Sequence, residues 1–520
     1  MPPRHALGLR DLDREFGETA LAVEGDLPGW LRGTLLRNGP GRFSIDGNCT
    51  VNHWFDGLAL ARRFRLDGES NRASFAARFL RSEEYATVRE EGRLARGQFG
   101  TDPYEDVFER LGRVLSPAPT DNASVGFERV GEAFRAVTET PRAVAVDPGT
   151  LESGPTVDRA EETEATLVVA HPHRDPRRGE AVAVGARLGW TSEYLLLRRD
   201  AGDPAFERFG SLQRSRPAYL HSFGLTGGHV AFLESPFRIE PLDLLGEGAV
   251  RDAFEWTDAD SRLLAFDRDT GEHVATGVAD PCFAFHHVNA FERPVEGDGD
   301  AAAELVVDLI AYDDAGIVEA LTLDALRDPE ATLPAGELRR YCLPLPEGSG
   351  SAVEVETTVE RLHGGPVEFP TVDYGRVNGR PYRYVYAAGN RERPARSLPN
   401  RLCKIDLESG TTDVWEREGC FPGEPIFVPK GPPEVDVDAD AGMPEGNRRE
   451  GPQDEGVVLA VVLDTDHPAP VDESGARSFL LVLDAGSFAE RARAPLPCAL
   501  PFGFHGQFLR DGVPFVRSMA

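Results

Sequence analysis

The chain has 520 residues, 41% of them hydrophobic, with 54 Gly and 40 Pro; this supplies a large core and a turn-rich make-up that suits many short strands better than long helices. The formal net charge of −31 excludes nucleic-acid binding, because phosphate is repelled over most of such a surface. Lys404 and Lys430 are the only lysines, and an acidic, lysine-poor surface points to a halophilic setting, where salt screens self-repulsion to within a few ångströms.

The N-terminal run MPPRHALGLRDLDREFGE lacks an apolar stretch, so no signal peptide is expected. No segment is long and apolar enough to predict a transmembrane helix. Along the chain one local pattern recurs: an apolar or alternating run ends in Asp, a turn follows, and another run begins. RRFRLDGES turns at Asp67-Gly68, RAVAVDPGTLES at Asp147, LVVAHPHRDPRRGEAVAVGA at Asp175, and LLAFDRDTGEHVATGV between Asp267 and Gly271. RLCKIDLESGTTDVWER turns between Asp406 and Gly410, and FLLVLDAGSFAERA at Asp484. Each reads as a β-hairpin, with Asp bonding the backbone two residues on and Gly supplying positive φ. Between the hairpins, GESNRASFAARFLRSEEYATVREEGR predicts a helix or an irregular excursion, and LTLDALRD a short helix. GDGDAAAE from Gly297 predicts a small loop, and the acidic, Pro/Gly-rich run from Lys430 to Glu455 a flexible surface loop. Neither reads as a domain linker, so residues 1–520 are expected to form one all-β unit. A propeller is favoured over a set of sandwiches because it leaves few exposed edges.

The cysteines (Cys49, Cys282, Cys342, Cys403, Cys420 and Cys498) are scattered without a C-x-x-C pair. That is neither a disulfide framework nor a zinc ribbon, and it fits a reducing cytoplasm. Of the 12 histidines, four settings stand out because each lies at the edge of an apolar strand: His171 in LVVAHPH, His221 in PAYLHSFGLTGGHVAF, His286 in CFAFHHVNAFE and His505 in LPFGFHGQFL. Their wide separation demands tertiary assembly, which the strand ends of a propeller provide around its axis. Imidazoles suit Fe, Zn, Cu or Ni. A ligating His needs a partner for its other ring nitrogen, usually a carboxylate. Glu139 in AVTETP, Glu368 in PVEFP and Glu424 in PGEPIFV lie in apolar or turn settings, but by composition alone they read as solvated strand-end carboxylates.

Taken together, these motifs resemble the carotenoid cleavage oxygenase family. The likeness runs from LPGWLRGTLLRNGPGRF (Leu27 to Phe43), with RNGP at Arg37 to Pro40, through HWFDG (His53 to Gly57), to AHPH, HSF, FHHVNAFE and GFHG in order. The resemblance implies a seven-bladed β-propeller capped by a dome of loops, with one Fe(II) per chain on the axis. The ligands it implies are His171, His221, His286 rather than its neighbour His287, and His505. Glu139, Glu368 and Glu424 would hold His221, His286 and His505 through their distal N–H groups, leaving His171 without a carboxylate. His173 and His287 would be neighbours, and His53 structural. One departure is Leu58-Ala59-Leu60, where the family continues with Asp-Gly and Met; it bears on local packing and subfamily.

The implied activity is oxidative cleavage of a conjugated C=C bond in a carotenoid or apocarotenoid by O2, giving two carbonyl products, retinal-type ones among them. A hydrophobic polyene needs an apolar tunnel, for which Phe283, Phe285, Phe369 and Phe504 are the candidate walls. Related scaffolds cleave stilbene-type aryl alkenes or act as a retinoid isomerohydrolase, and a metal-free binding propeller is a rival of another class. Family members take up lipid substrates through an apolar patch, so peripheral membrane contact stays open, as do the bond cleaved and the oligomeric state.

Overall fold

The structure is a computed structural model that describes residues 2–511, apart from 48, 104–118, 132, 201–202, 204, 246–247, 296–300, 347–351, 432–450 and 467–476. The strands are built from β-branched and apolar runs such as VVLAVVL in Gly456–Asp464 and FLLVL in Arg477–Asp484, both buried on their two faces. A strand covered on both sides reads as a continuous apolar run rather than an alternating one. All six predicted hairpins form, but glycine takes the positive φ only at Gly179, Gly271 and Gly410; in the other three turns Asn71, Leu151 and Phe488 take it. Asp147 Oδ1 accepts from the backbone of Gly149 and Thr150 at 2.8 and 2.7 Å, and Asp267 Oδ1 from Asp269 and Thr270 at 3.0 and 2.8 Å.

These hairpins assemble into seven sheets that follow one another along the chain as the blades of a β-propeller. Blade I spans residues 16–79, blade II 126–158, blade III 167–213, blade IV 224–279, blade V 287–363, blade VI 367–416 and blade VII 420–495. The blades are antiparallel, except that Val353–Glu356 adds to blade IV as a parallel edge strand. A separate ribbon pairs Phe237–Ile239 with Phe254–Trp256.

The ring is closed twice. Gly506–Arg510 enters blade I against Arg32–Arg37, with Arg37 opposite Gly506, and Glu24–Gly25 pairs with the last strand of blade VII. The RNGP segment pins the first closure. Asn38 Nδ2 donates to the carbonyls of Ala123 and Gly126 at 2.8 and 3.0 Å, and its backbone exchanges hydrogen bonds with Phe504 and His505. Gly39 adopts φ +152°, and a Cβ there would sit 2.5 Å from Gly503 Cα, so only glycine allows the approach.

Excursions between strands cover one end of the ring: the turn Trp54–Asp56 from blade I, the ribbon from blade IV and the short helices Gly316–Ala320 and Leu323–Arg327 from blade V, with the helix Glu83–Glu91 joining blades I and II. The stretch expected as helix or excursion divides into the strand Arg72–Phe79 and the helix Glu83–Glu91, which Ser82 caps by accepting from Tyr85 N at 3.0 Å. Of the loop expected from Gly297, residues 301–304 belong instead to the strand Ala301–Ala311 of blade V, and 297–300 lie outside the described residues. Most of the acidic loop between Lys430 and Glu455 lies outside the described residues; its two ends meet in the Lys430–Glu455 ion pair at 2.7 Å. Among the described residues no helix is long and apolar enough to cross a membrane.

Candidate metal centre

Four blades each deliver one imidazole to the axis. His221, His286 and His505 occupy the approaches to the strands Gly224–Leu225, His287–Pro294 and Gly506–Arg510. His171 lies in a bulge of blade III. Leu167–Val168 and His173–Asp175 both pair with the strand Glu180–Arg187, Val168 opposite Gly185 and His173 opposite Val182. The intervening residues exceed what the partner strand can match, so the chain around Pro172 swings out and re-aims His171.

The four ring nitrogens offered to the axis lie within 4.8 Å of one another. His171 Nε2 is 3.0 Å from His221 Nε2, and His286 Nε2 is 3.3 Å from His505 Nε2. The remaining blades supply carboxylates. Glu139, in the corner between the strands Ala133–Val137 and Arg142–Val146, accepts from His221 Nδ1. Glu368 of the strand Val367–Thr371 accepts from His286 Nδ1 at 2.5 Å, and Glu424 of blade VII from His505 Nδ1 at 2.8 Å. The pairing is the one the resemblance implied, and His171 has no carboxylate partner among the described residues.

A proton on Nδ1 leaves Nε2 as a bare lone pair. His286 and His505 thus face each other acceptor to acceptor, an arrangement that a cation between them relieves. Burial first, then the neighbouring rings, hold His171 and His505 well below the usual imidazole range, so both are neutral donors. Burial pushes Glu368 up, but His286 and the Phe369 N–H outweigh it and hold the carboxylate below its ordinary value. Burial pushes Glu424 up to about 7 against the pull of Arg37; a cation on the axis would act in the same sense as Arg37. Neutral nitrogens backed by carboxylates fit a divalent first-row metal.

The other candidate histidines are committed elsewhere. His173 contacts the Tyr374 hydroxyl and the Phe223 carbonyl at 2.8 and 2.9 Å, and His287 contacts Ser222 Oγ and Leu233 N at 2.9 and 3.3 Å. His53 is fully buried in the dome with Nε2 2.9 Å from the Val318 carbonyl.

On the dome side of the rings lies an apolar cavity of about 270 Å³. Phe285, Phe369 and Phe504 line it, together with Trp54, Phe55 and Tyr219. Phe283 does not: it is fully buried behind Phe285, edge-on at 4.8 Å. Phe369 holds φ +52°, with its N–H 2.6 Å from Glu368 Oε2. A bulky residue in the left-handed region is strained, and such strain gathers at functional sites. Here it turns Glu368 toward His286 and the phenyl ring toward the cavity. Sequence reasoning missed Tyr219, whose hydroxyl donates to Glu139 Oε1 at 2.8 Å, and Arg37, which pairs with Glu424. Signals existed for both: Tyr219 stands two residues before His221, and Arg37 opens RNGP.

The chain has known relatives over nearly its whole length. The chain is 33% identical to the mitochondrial carotenoid-cleaving dioxygenase of Mustela putorius furo, over 94% of this chain and 93% of that one. It is 31% identical to the β,β-carotene 15,15′-dioxygenase of Rattus norvegicus, over 94% and 88%. The cobalt-substituted Synechocystis apocarotenoid oxygenase shares the fold, with a TM-score of 0.79 over 98% of this chain and 99% of that one at 24% identity. The retinal pigment epithelial membrane protein family model matches residues 9–510, and the chain belongs to that family.

Proposed function

We propose that the chain is an iron(II)-dependent dioxygenase that cleaves a conjugated C=C bond of a carotenoid or apocarotenoid. The observation that carries this reading is the set of four converging imidazoles at the wall of an apolar cavity. His171, His221, His286 and His505 would hold one ferrous ion, and Glu139, Glu368 and Glu424 would fix three of the rings through Nδ1. When bound, iron(II) supplies binding and activation of O2. The protein contributes orientation and exclusion of water. Phe285, Phe369 and Phe504 present flat apolar faces to a polyene, and Trp54 and Phe55 close the cavity from the dome. The balance is one alkene and one O2 in, two carbonyl compounds out, and it requires no proton donor from the protein. Relatives named as carotenoid-cleaving and β,β-carotene 15,15′-dioxygenases support a polyene substrate and a retinal-type product.

The test is metal analysis of protein purified without oxygen in high salt, followed by incubation with an apocarotenal and O2 and mass analysis. About one iron per chain and two carbonyl fragments are expected, the fragment masses naming the bond. Iron without cleavage would move the chain toward stilbene or retinyl-ester chemistry. A folded chain that holds no metal would overturn the reading.

A further inference from the structure

The three carboxylates behind the imidazoles are not equivalent, and the difference lies one layer further out. Glu139 accepts from a neutral phenol, Tyr219, at 2.8 Å. Glu368 has the phenol of Tyr312 beside it. Among the described residues, Glu424 alone of the three faces a guanidinium. Arg37 is 3% exposed, and its Nη1 donates to Glu424 Oε2 and, at 3.3 Å, to the Glu424 carbonyl. Its Nη2 donates to the Phe504 carbonyl at 2.8 Å, on the peptide that leads into His505. Glu424 then holds His505 Nδ1 with Oε1 at 2.8 Å and the Gly506 N–H with Oε2 at 3.0 Å. A planar fork holds the carboxylate and the two carbonyls in fixed directions, whereas a lysine would offer a point charge on a flexible stem. Arg62, buried nearby, spends its hydrogen bonds on the carbonyls of Pro40 and Pro501 at 2.7 and 3.0 Å.

We infer that Arg37 is a positioning residue that both orients His505 through Glu424 and offsets the Glu424 charge, so that the four-histidine site favours a divalent over a trivalent ion. The inference rests on the metal reading above. A carboxylate behind a ligating imidazole raises its basicity and stabilises higher positive charge on the metal. Three uncompensated carboxylates in a buried site would favour the oxidised ion; a fixed cation bonded to one of them opposes that, and burial leaves its field poorly screened.

The test is the ferric/ferrous midpoint potential, followed by the ferric paramagnetic resonance signal, in the unaltered protein, Arg37→Lys, Arg37→Gln, Glu424→Gln and the double variant Arg37→Gln/Glu424→Gln. Arg37→Gln should raise the ferric-to-ferrous ratio at a fixed ambient potential about tenfold, a fall of about 59 mV. Arg37→Lys should fall by less. Glu424→Gln should move the potential up, and the double variant should return it toward the unaltered value. That return tests the charge even if Arg37→Gln alone fails to fold, because a purely structural Arg37 gives no reason for a second loss to restore anything. Equal potentials in all the iron-loaded variants would overturn this inference and leave the metal reading standing. An unaltered protein that binds no iron would remove both.

Discussion

At the scale of single residues, the site is defined by which ring nitrogens remain uncommitted. His173 and His287 have both nitrogens engaged by Tyr374, Phe223, Ser222 and Leu233. Alanine at His171, His221, His286 or His505 is therefore expected to abolish stoichiometric iron binding, whereas His287→Ala should keep the metal; iron analysis of the purified variants decides. Glutamine at Glu139 or Glu368 should weaken ferrous iron binding about ten- to a hundredfold, as losses behind a ligand do, measurable by competition with a chelator. Much of this was legible. Strand-edge histidines stood out by setting, although AHPH and FHHV each offer two candidates that local pattern cannot separate. The glutamates could be chosen only through the family resemblance, since a carboxylate at a strand end looks the same whether it faces water or a ring. Phe283 was misplaced because Phe283 and Phe285 share one face of an extended chain. The paired rings stack in depth, and only the outer one reaches the cavity.

At the scale of elements, turn chemistry was the readable part, because an Asp that bonds its own turn acts within a few residues. The bulges were not readable. The excursion at His171 and the positive φ of Phe369 arise from what the neighbouring strands demand. The helix Glu83–Glu91 carries a prediction of its own. Glu84 is fully buried, accepts from Ala95 N at 2.8 Å with Oε1, and leaves Oε2 without a partner among the described residues. Burial pushes its carboxyl up to about 7. With the folded value above the unfolded one, its contribution to stability is fully present below about pH 4.5 and is lost as pH rises through about 7. Glu84→Gln should therefore raise the melting temperature relative to the parent at pH 8 and change it little at pH 4.5. A parallel shift at both pH values would show that Glu84 is not the titrating group.

At the scale of the whole molecule, the number of blades could not be counted from a repeat, because the hairpins follow no fixed period; it came from the resemblance. Ring closure was equally hidden, since it joins segments from opposite ends of the chain. One tight point is Gly506, where a Cβ would meet both Leu36 O and Arg37 Cδ at 2.4 Å. Gly506→Ala should cost about 1–3 kcal/mol, in the range of overpacking, and should lower iron occupancy with it; denaturant melts and iron content would show both. The charge of −31 predicts a global response as well. Melting temperature should climb as KCl is raised from low millimolar to molar levels and self-repulsion is screened. A flat or falling curve would remove the salt-adapted reading.

The closing strand also sets an order of events during synthesis. Three of the axial imidazoles emerge within blades III to V, but His505 follows His286 by 219 residues and immediately precedes the strand that shuts the ring. A nascent chain can thus fold blade after blade while its axis still lacks one nitrogen, and Arg37 and Glu424 wait on the same step. A polypeptide released early would carry well-formed blades and an incomplete nest of rings. On the proposed reading, tight metal uptake would report that the ring has been closed, and the ion would mark finished molecules.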